Sequence, residues 1–361
     1  MSQAIEISAE QQHAIALARQ QAAGQAADQA AAASAFARFR AEKSENTLKA
    51  HDRALATWAT YIAEVTGTAG AADALSAETY STTPNSWHGV TWGLVEGFRQ
   101  WMLGEGYAIS SVNVKLTCVK SYITQAARVG VIDENALRLI ATVKGYHKRS
   151  IARNVDAKRE QTRLGHKKAE PTTLSAKTIA AQKEHYIEEG SQQALRDLLL
   201  LCLLADHGLR VSEIEILTWQ AFDLEEKTFS FYRPKVDTTT THRLTKDTLD
   251  ALERYRRVYP TTLPHDFALL LQTTRLKKDS SGGELKPKQL GRRAIQRRAE
   301  RFGKLMGIAN PVGCHDFRYH CATQMAREGH TIRELMDWFS WTNAGTAMRY
   351  VKSAEIATRR Q

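Results

Sequence analysis

The chain has 361 residues, 43% hydrophobic and 25% charged, with a formal net charge of +11. That length suggests two domains plus appendages, and the mix suits a globular chain with sizeable cores. So basic a balance favours a polyanionic partner, nucleic acid first, while four cysteines (Cys118, Cys202, Cys314, Cys321) without a C-x-x-C pair argue against a zinc site or a disulfide scaffold. The start, MSQAIEISAEQQ, lacks the basic and apolar stretches of a signal peptide, and the longest apolar run, 198–205, is too short to span a bilayer. A reducing cytoplasm, with the protein associated with the nucleoid and no membrane, is the expected setting.

In chain order, residues 1–45 form an Ala/Gln-rich leader with few large apolar anchors, expected as a single helix or a disordered segment. Residues 46–146 read as a helical bundle. Leu55, Trp58, Ile62 and Val65 make one amphipathic stripe, Leu94, Phe98 and Trp101 a second, and Val112, Leu116, Val119 and Ile123 a third. Gly130 is placed to end the third helix and Asp133 to cap the next. Residues 147–171 form a basic linker. From Lys144 to Lys168 there are nine Lys or Arg residues against Asp156 and Glu160. That excess suits phosphate contact or a solvated face, and Lys148, Arg149 and Arg153 are its candidates.

The second domain spans 172–361. A wholly apolar helix segment, 198–204, belongs in a core and ends at Gly208, and Ser212 is the expected cap of the helix EIEILTW. Two short strands at 228–232 and 240–244 flank a loop carrying Lys235, and 268–272 is a third strand candidate. Helices are expected at 247–259, at 289–306 (with the basic run from Lys286 read as part of that helical region), after His315 and after Thr331. The fold class is mainly α with a small antiparallel sheet.

An ordered set of residues in this domain carries the chemical signal: Arg210 with Glu213 in GLRVSEI, Lys235 in RPKVD, His315 and Arg318 in HDFRYH, Trp341 in FSWTN and Tyr350 in TAMRYVK. Singly, each has an ordinary explanation as a surface pair, a solvated lysine or a packed aromatic. Together they suit a phosphodiester. Two always-charged guanidinium groups can grip phosphoryl oxygens and stabilise added charge, a phenol can attack phosphorus, and a lysine can protonate a departing oxygen. His315 offers acid/base help, the Trp341 indole offers an N–H donor, and Glu213 orients its neighbours.

This set resembles the tyrosine recombinase (phage integrase) family, in the Cre-type variant that carries Trp where His is commoner. Trp341 follows Arg318 by 23 residues and Tyr350 follows Trp341 by nine, as in that family. The likeness spans about 46–361 and is sharp from Gly208 onward. It implies an N-terminal core-binding bundle and a C-terminal catalytic domain that clamp duplex DNA from opposite sides. It further implies a 3′-phosphotyrosyl intermediate, no cofactor or metal, and four protomers exchanging strands at two recombination sites through a Holliday junction. A type IB topoisomerase-like enzyme and a catalytically silent DNA-binding protein are the alternatives. For holding DNA, the region 286–304 carries eight Lys or Arg residues, among them Arg292, Arg293 and Arg297, against Glu300, with an apolar back suited to a major groove. Lys115 and Lys120, with Arg128, suggest a weaker surface on the first domain.

Overall fold

The computed structural model describes residues 9–159, 171–274 and 283–358; residues 160–170 of the expected linker lie outside them. The chain divides into two compact units, Met1–Lys167 and Lys168–Gln361.

The first unit is helical: α1 (Ala9–Ala41), α2 (Glu45–Thr66), α3 (Ala77–Thr82), α4 (Trp92–Gly104), α5 (Ile109–Arg128), α6 (Glu134–Thr142) and α7 (Arg149–Ala157). Its core is built on aromatic rings. Trp58 stacks on Trp87 and meets Phe98 edge-on, with centroids 5.7 and 5.1 Å apart. All four residues of the α5 stripe are buried, whereas on α2 it is Tyr61 rather than Val65 that turns inward. Asp133 caps α6 by accepting the Ala136 N–H at 2.9 Å. The leader helix α1 is exposed over most of its length but docks its final turns. Phe36 is buried, and the Arg40 guanidinium donates to Asp52 and to the Tyr122 hydroxyl at 2.9 and 3.0 Å. Phe36 and Arg40 thus anchor an otherwise alanine-rich helix.

The second unit contains α8 (Ala176–Glu189), α9 (Gln192–Ala205), α10 (Val211–Glu215), β1 (Phe222–Asp223), β2 (Thr228–Arg233), β3 (Thr238–Arg243), α11 (Lys246–Val258), β4 (Leu271–Thr273), β5 (Leu285–Gln289), α12 (Arg292–Leu305), α13 (Cys314–Arg327), α14 (Ile332–Phe339) and α15 (Ala344–Thr358). Every residue of the apolar run on α9 is buried, and at roughly 1.5–3 kcal/mol per buried leucine side chain this helix is the axis of the core. Strands β1, β2 and β3 form an antiparallel sheet in that order, with Phe229 opposite His242 and Arg233 opposite Thr238. A second antiparallel pair joins β4 to β5.

Three local expectations shift. Lys286 and Lys288 lie on β5, not on a helix; Pro287 between them cannot continue a helical ladder, and α12 starts only after Gly291. The N-cap of α10 is Arg210 rather than Ser212, because the Glu213 carboxylate folds back to accept the Arg210 N–H at 2.8 Å. The third strand begins at Leu271, not at 268.

Candidate active site

Gly208 ends the segment after α9 with φ at +62°, and a Cβ there would lie 2.7 Å from the Phe339 ring, so backbone conformation and close approach both require glycine. This turn delivers Arg210 to the head of α10, one turn before Glu213. The Glu213 carboxylate, 1% exposed, then becomes a hub. It accepts from Arg210 Nη1 at 2.7 Å and lies 3.6 Å from Arg233 Nη1 and 4.0 Å from Arg318 Nη1. Three guanidinium groups share one carboxylate, so the cluster keeps a net positive charge suited to an anionic phosphodiester.

Arg318 comes from α13. Asp316 fixes the start of that helix, accepting the Gly313 N–H at 2.7 Å and the Thr172 N–H at 2.8 Å. His315 and Arg318, three residues apart, share a helix face, His315 exposed and Arg318 only 3% so. Arg318 donates to the carbonyls of Gly208 and Phe339 at 2.7 and 2.9 Å, and its guanidinium sits over the Phe339 ring at 4.7 Å. Burial, with the nearby Arg210 charge, pushes Arg318 down to about 9, against the opposing pull of Glu213. Although its side chain reaches solvent, partial desolvation by the surrounding protein lowers the His315 imidazole, as do the charges of Arg318, Arg210 and Lys235, with Asp316 opposing. The neutral ring therefore prevails at neutral pH.

Lys235 is exposed in the four-residue turn between β2 and β3. The turn is closed by the Arg233 carbonyl, which accepts from the N–H groups of Val236 at 3.1 Å and Asp237 at 3.0 Å. Asp237 takes a left-handed conformation and accepts from the Tyr232 hydroxyl at 2.7 Å.

Trp341 and Tyr350 meet face to face, with ring centroids 4.9 Å apart and planes 6° from parallel. Phe339 also stacks on Trp341, with centroids 4.6 Å apart, and Tyr319 tilts against Tyr350 at 5.2 Å. Ser340, in the left-handed region, caps α14 and turns the chain so that Trp341 can reach α15. On α15, Ala347, Tyr350 and Ala354 form the buried face. Tyr350 is 8% exposed, and burial raises its phenol above the usual value, although Arg318, Arg349 and Arg210 pull the other way. Its hydroxyl is protonated at neutral pH, so attack on phosphorus requires a base.

The structure thus gathers Arg210, Glu213, Arg318, Trp341 and Tyr350 around one cluster, with the Lys235 turn tied to it through Arg233. The electrostatic influence of Lys235 on His315 links those two as well. Sequence reasoning missed Arg233 and Tyr319. The signal for Arg233 was present: in TFSFYR the period-two alternation puts Phe229, Phe231 and Arg233 on one face, and all three are buried. Tyr319 stood unread inside HDFRYH.

The expected DNA-contact residues divide by what already holds them. Lys115 donates to the Arg53 carbonyl at 3.1 Å and the Thr57 hydroxyl at 2.5 Å, tying α5 to α2. Lys120 donates to the carbonyls of Ala141 and Val143 at 3.1 and 2.7 Å, serving the end of α6. Arg292 forks onto Glu215 at 2.8 and 3.0 Å and pins the start of α12 to α10. Arg293, Arg297, Lys148 and Arg153 present exposed side chains, and Arg149 opens α7.

A mixed helical unit whose buried tyrosine stacks beside clustered arginines has the equipment of an enzyme that moves a phosphodiester onto its own side chain. A model of the phage integrase family matches residues 176–356, half of the chain, and the protein belongs to that family, the tyrosine recombinases. It is 27% identical over 174 residues to a probable integrase/recombinase protein of Methanocaldococcus jannaschii, a match that covers 47% of this chain and 50% of that relative. The solved structure of the Tn1549 transposon integrase in complex with a circular intermediate DNA is similar in fold, with a TM-score of 0.55 at 16% identity over 91% of this chain and 99% of that one. A lambda integrase tetramer bound to a Holliday junction is similar with a TM-score of 0.51 at 12% identity, over 87% of this chain and 74% of that one. Among the described residues no helix is long and apolar enough to cross a membrane.

Proposed function

We propose that the protein cuts and rejoins double-stranded DNA at specific sites, with Tyr350 as nucleophile, four protomers on two sites and a Holliday junction between the two strand exchanges. The observation that carries this reading is the cluster itself: Arg210 and Arg318 converge on Glu213, and Phe339 and Trp341 link that cluster to Tyr350. The lambda integrase tetramer on its junction supports the assembly by likeness of fold. In the reaction, Tyr350 Oη attacks the scissile phosphorus, a P–O bond to tyrosine forms and the P–O5′ bond breaks. The neutral His315 ring takes the phenol proton and the Lys235 ammonium gives one to the departing 5′-oxygen. Arg210 and Arg318 hold the non-bridging oxygens, and the Trp341 indole N–H donates to one of them. Rejoining reverses these steps, with a 5′-hydroxyl as nucleophile, so the bond energy is conserved in the covalent intermediate. Glu213 sets the two arginines rather than moving protons.

DNA is held by the exposed arginines of α12, chiefly Arg293 and Arg297, and by Lys148, Arg149 and Arg153 at the end of the first unit. The domain division proposed is a leader to residue 45, a core-binding bundle to 146, a basic linker to 171 and a catalytic domain beyond. The test is a nicked duplex carrying the site that footprinting defines on the host element. Loss of the short fragment beyond the nick traps the covalent complex, which is expected with the native chain and absent with Tyr350→Phe, while both bind the duplex. An adduct of equal yield in the variant would refute the assignment.

A further inference from the structure

Arg233 takes no part in the bond-making and bond-breaking steps at the phosphate, yet its guanidinium is fully buried in the fold. Resting on the reading of Lys235 as the proton donor, we propose that Arg233 is a positioning residue for strand cleavage, holding the Lys235 turn and the Trp341 segment in register with the Arg210–Glu213 pair. Its guanidinium is 0% exposed and reaches three separate stretches of chain. It lies 3.6 Å from Glu213 on α10, donates to the carbonyls of Trp338 and Phe339 at 2.6 and 3.2 Å where α14 ends, and donates to the Thr240 hydroxyl at 2.9 Å on β3. Its backbone carbonyl meanwhile closes the turn that presents Lys235 two residues later.

Each of these contacts suits a fork rather than a point charge. The carbonyls of Trp338 and Phe339 at the end of α14 have no partner within the helix and carry its negative end, so a cation beside them is favourable, and Arg233 meets both while Arg318 meets the second. A planar guanidinium can meet two carbonyls, a hydroxyl and a carboxylate at once, which an ammonium cannot. Burial pushes Arg233 down to about 10, with Glu213 opposing, so it stays charged at neutral pH. Stability alone is a poor reason for such a group, since buried ion pairs are often replaced by apolar residues without loss. What the fork provides here is geometry. It joins the hairpin that carries the acid, the turn that leads to Trp341 through Ser340, and the carboxylate that orients Arg210 and Arg318.

The test separates proton donation from folding. The native chain, Lys235→Ala, Arg233→Lys and Arg233→Met are each given nicked site duplexes whose scissile bridging atom is either 5′-oxygen or 5′-sulfur, and single-turnover cleavage is measured on both. A thiolate leaves without a proton, so the sulfur-to-oxygen rate ratio reports the acid and is independent of how much enzyme is folded. Lys235→Ala is expected to lose about 10²–10⁴-fold on oxygen and little on sulfur. The Arg233 variants are expected to lose about 10²-fold on oxygen, the scale of a 1 Å misplacement, and to recover most of it on sulfur. If both Arg233 variants keep the native ratio, Arg233 is merely structural and the proposal is overturned. If Lys235→Ala recovers on sulfur while the Arg233 variants do not, the Lys235 reading stands and the Arg233 proposal alone falls. If Lys235→Ala itself fails to recover, Lys235 is not the acid and both fall.

Discussion

Replacing Glu213 by glutamine removes one negative charge from among three guanidinium groups while keeping the shape of the side chain. The Gln carbonyl can still accept the Arg210 N–H, so the N-terminus of α10 keeps its cap; what is lost is charge compensation. Arg233 and Arg318 are 0% and 3% exposed in their side chains, and neither can turn to water for solvation. Removing one partner of a buried ionic cluster typically costs about 3–5 kcal/mol, because the remaining charges are left uncompensated. Arg210 contributes less to this total, since its side chain is 23% exposed and its pair with Glu213 is partly screened. For a unit of this size each kcal/mol shifts Tm by about 2–4 °C, so Glu213→Gln should melt roughly 6–20 °C lower than the native chain. Thermal denaturation followed by circular dichroism at neutral pH measures it directly. A fall of less than about 2 °C would mean that the three arginines find their compensation elsewhere, and the hub role of Glu213 would be refuted.

Trp341→His, which keeps a ring N–H, should retain measurable single-turnover cleavage, whereas Trp341→Ala should lose about 10²–10³-fold; equal rates for the two would favour packing against Phe339 and Tyr350 as the whole role. Cleavage should fall on the acid side only below pH 6.5, because the His315 imidazole is held below its ordinary value and serves as a base when neutral; a pH–rate limb centred above 7 would contradict this. Burial holds His207 down to about 3 and His242 to about 2. Between those values and 6.5 the unfolded chain binds two protons that the folded chain does not, so stability falls as pH drops, by up to about 2.7 kcal/mol per pH unit, and urea unfolding at pH 7 and 5 would show it. Binding to duplex DNA should weaken steeply with salt, each phosphate contact adding about 0.9 to the log–log slope; Arg297→Glu should reduce that slope and the affinity, and a slope near zero would remove α12 from the interface.

Much of this architecture was legible because local signals agreed. The α5 stripe, the Asp133 cap, the apolar α9 and the β2–β3 hairpin all follow from periodicity and turn chemistry, which act within a few residues. Arg210, Lys235, His315, Arg318, Trp341 and Tyr350 signal a chemistry only as an ordered set, since no single member declares itself. What stayed hidden depends on residues distant in sequence. Arg233 looked like a strand-end cation, and only the carbonyls of Trp338 and Phe339, more than a hundred residues on, explain its burial. Lys115 and Lys120 looked like surface cations because nothing in sequence shows that the backbone carbonyls of Arg53 on α2 and of Ala141 on α6 await them. The leader was read by its alanine content, and the docking of Phe36 against Tyr122, with centroids 5.5 Å apart, is a tertiary fact that composition does not carry. Counting Lys286 and Lys288 into the basic helical region failed for a local reason that could have been read, since Pro287 lies between them and the helix itself begins only at Arg292.

The most direct measurement is the identity of the residue that carries DNA after cleavage. The native chain is allowed to react with a nicked site duplex, the DNA is trimmed by nuclease, and the modified peptide is sequenced by mass spectrometry. The phosphonucleotide is expected on the Tyr350 hydroxyl, joined to the 3′ side of the break, with a free 5′-hydroxyl on the other strand end. A modified Tyr319, a 5′-linked adduct, or cleavage with no protein-linked product would contradict the mechanism built on Tyr350 and its stack with Trp341.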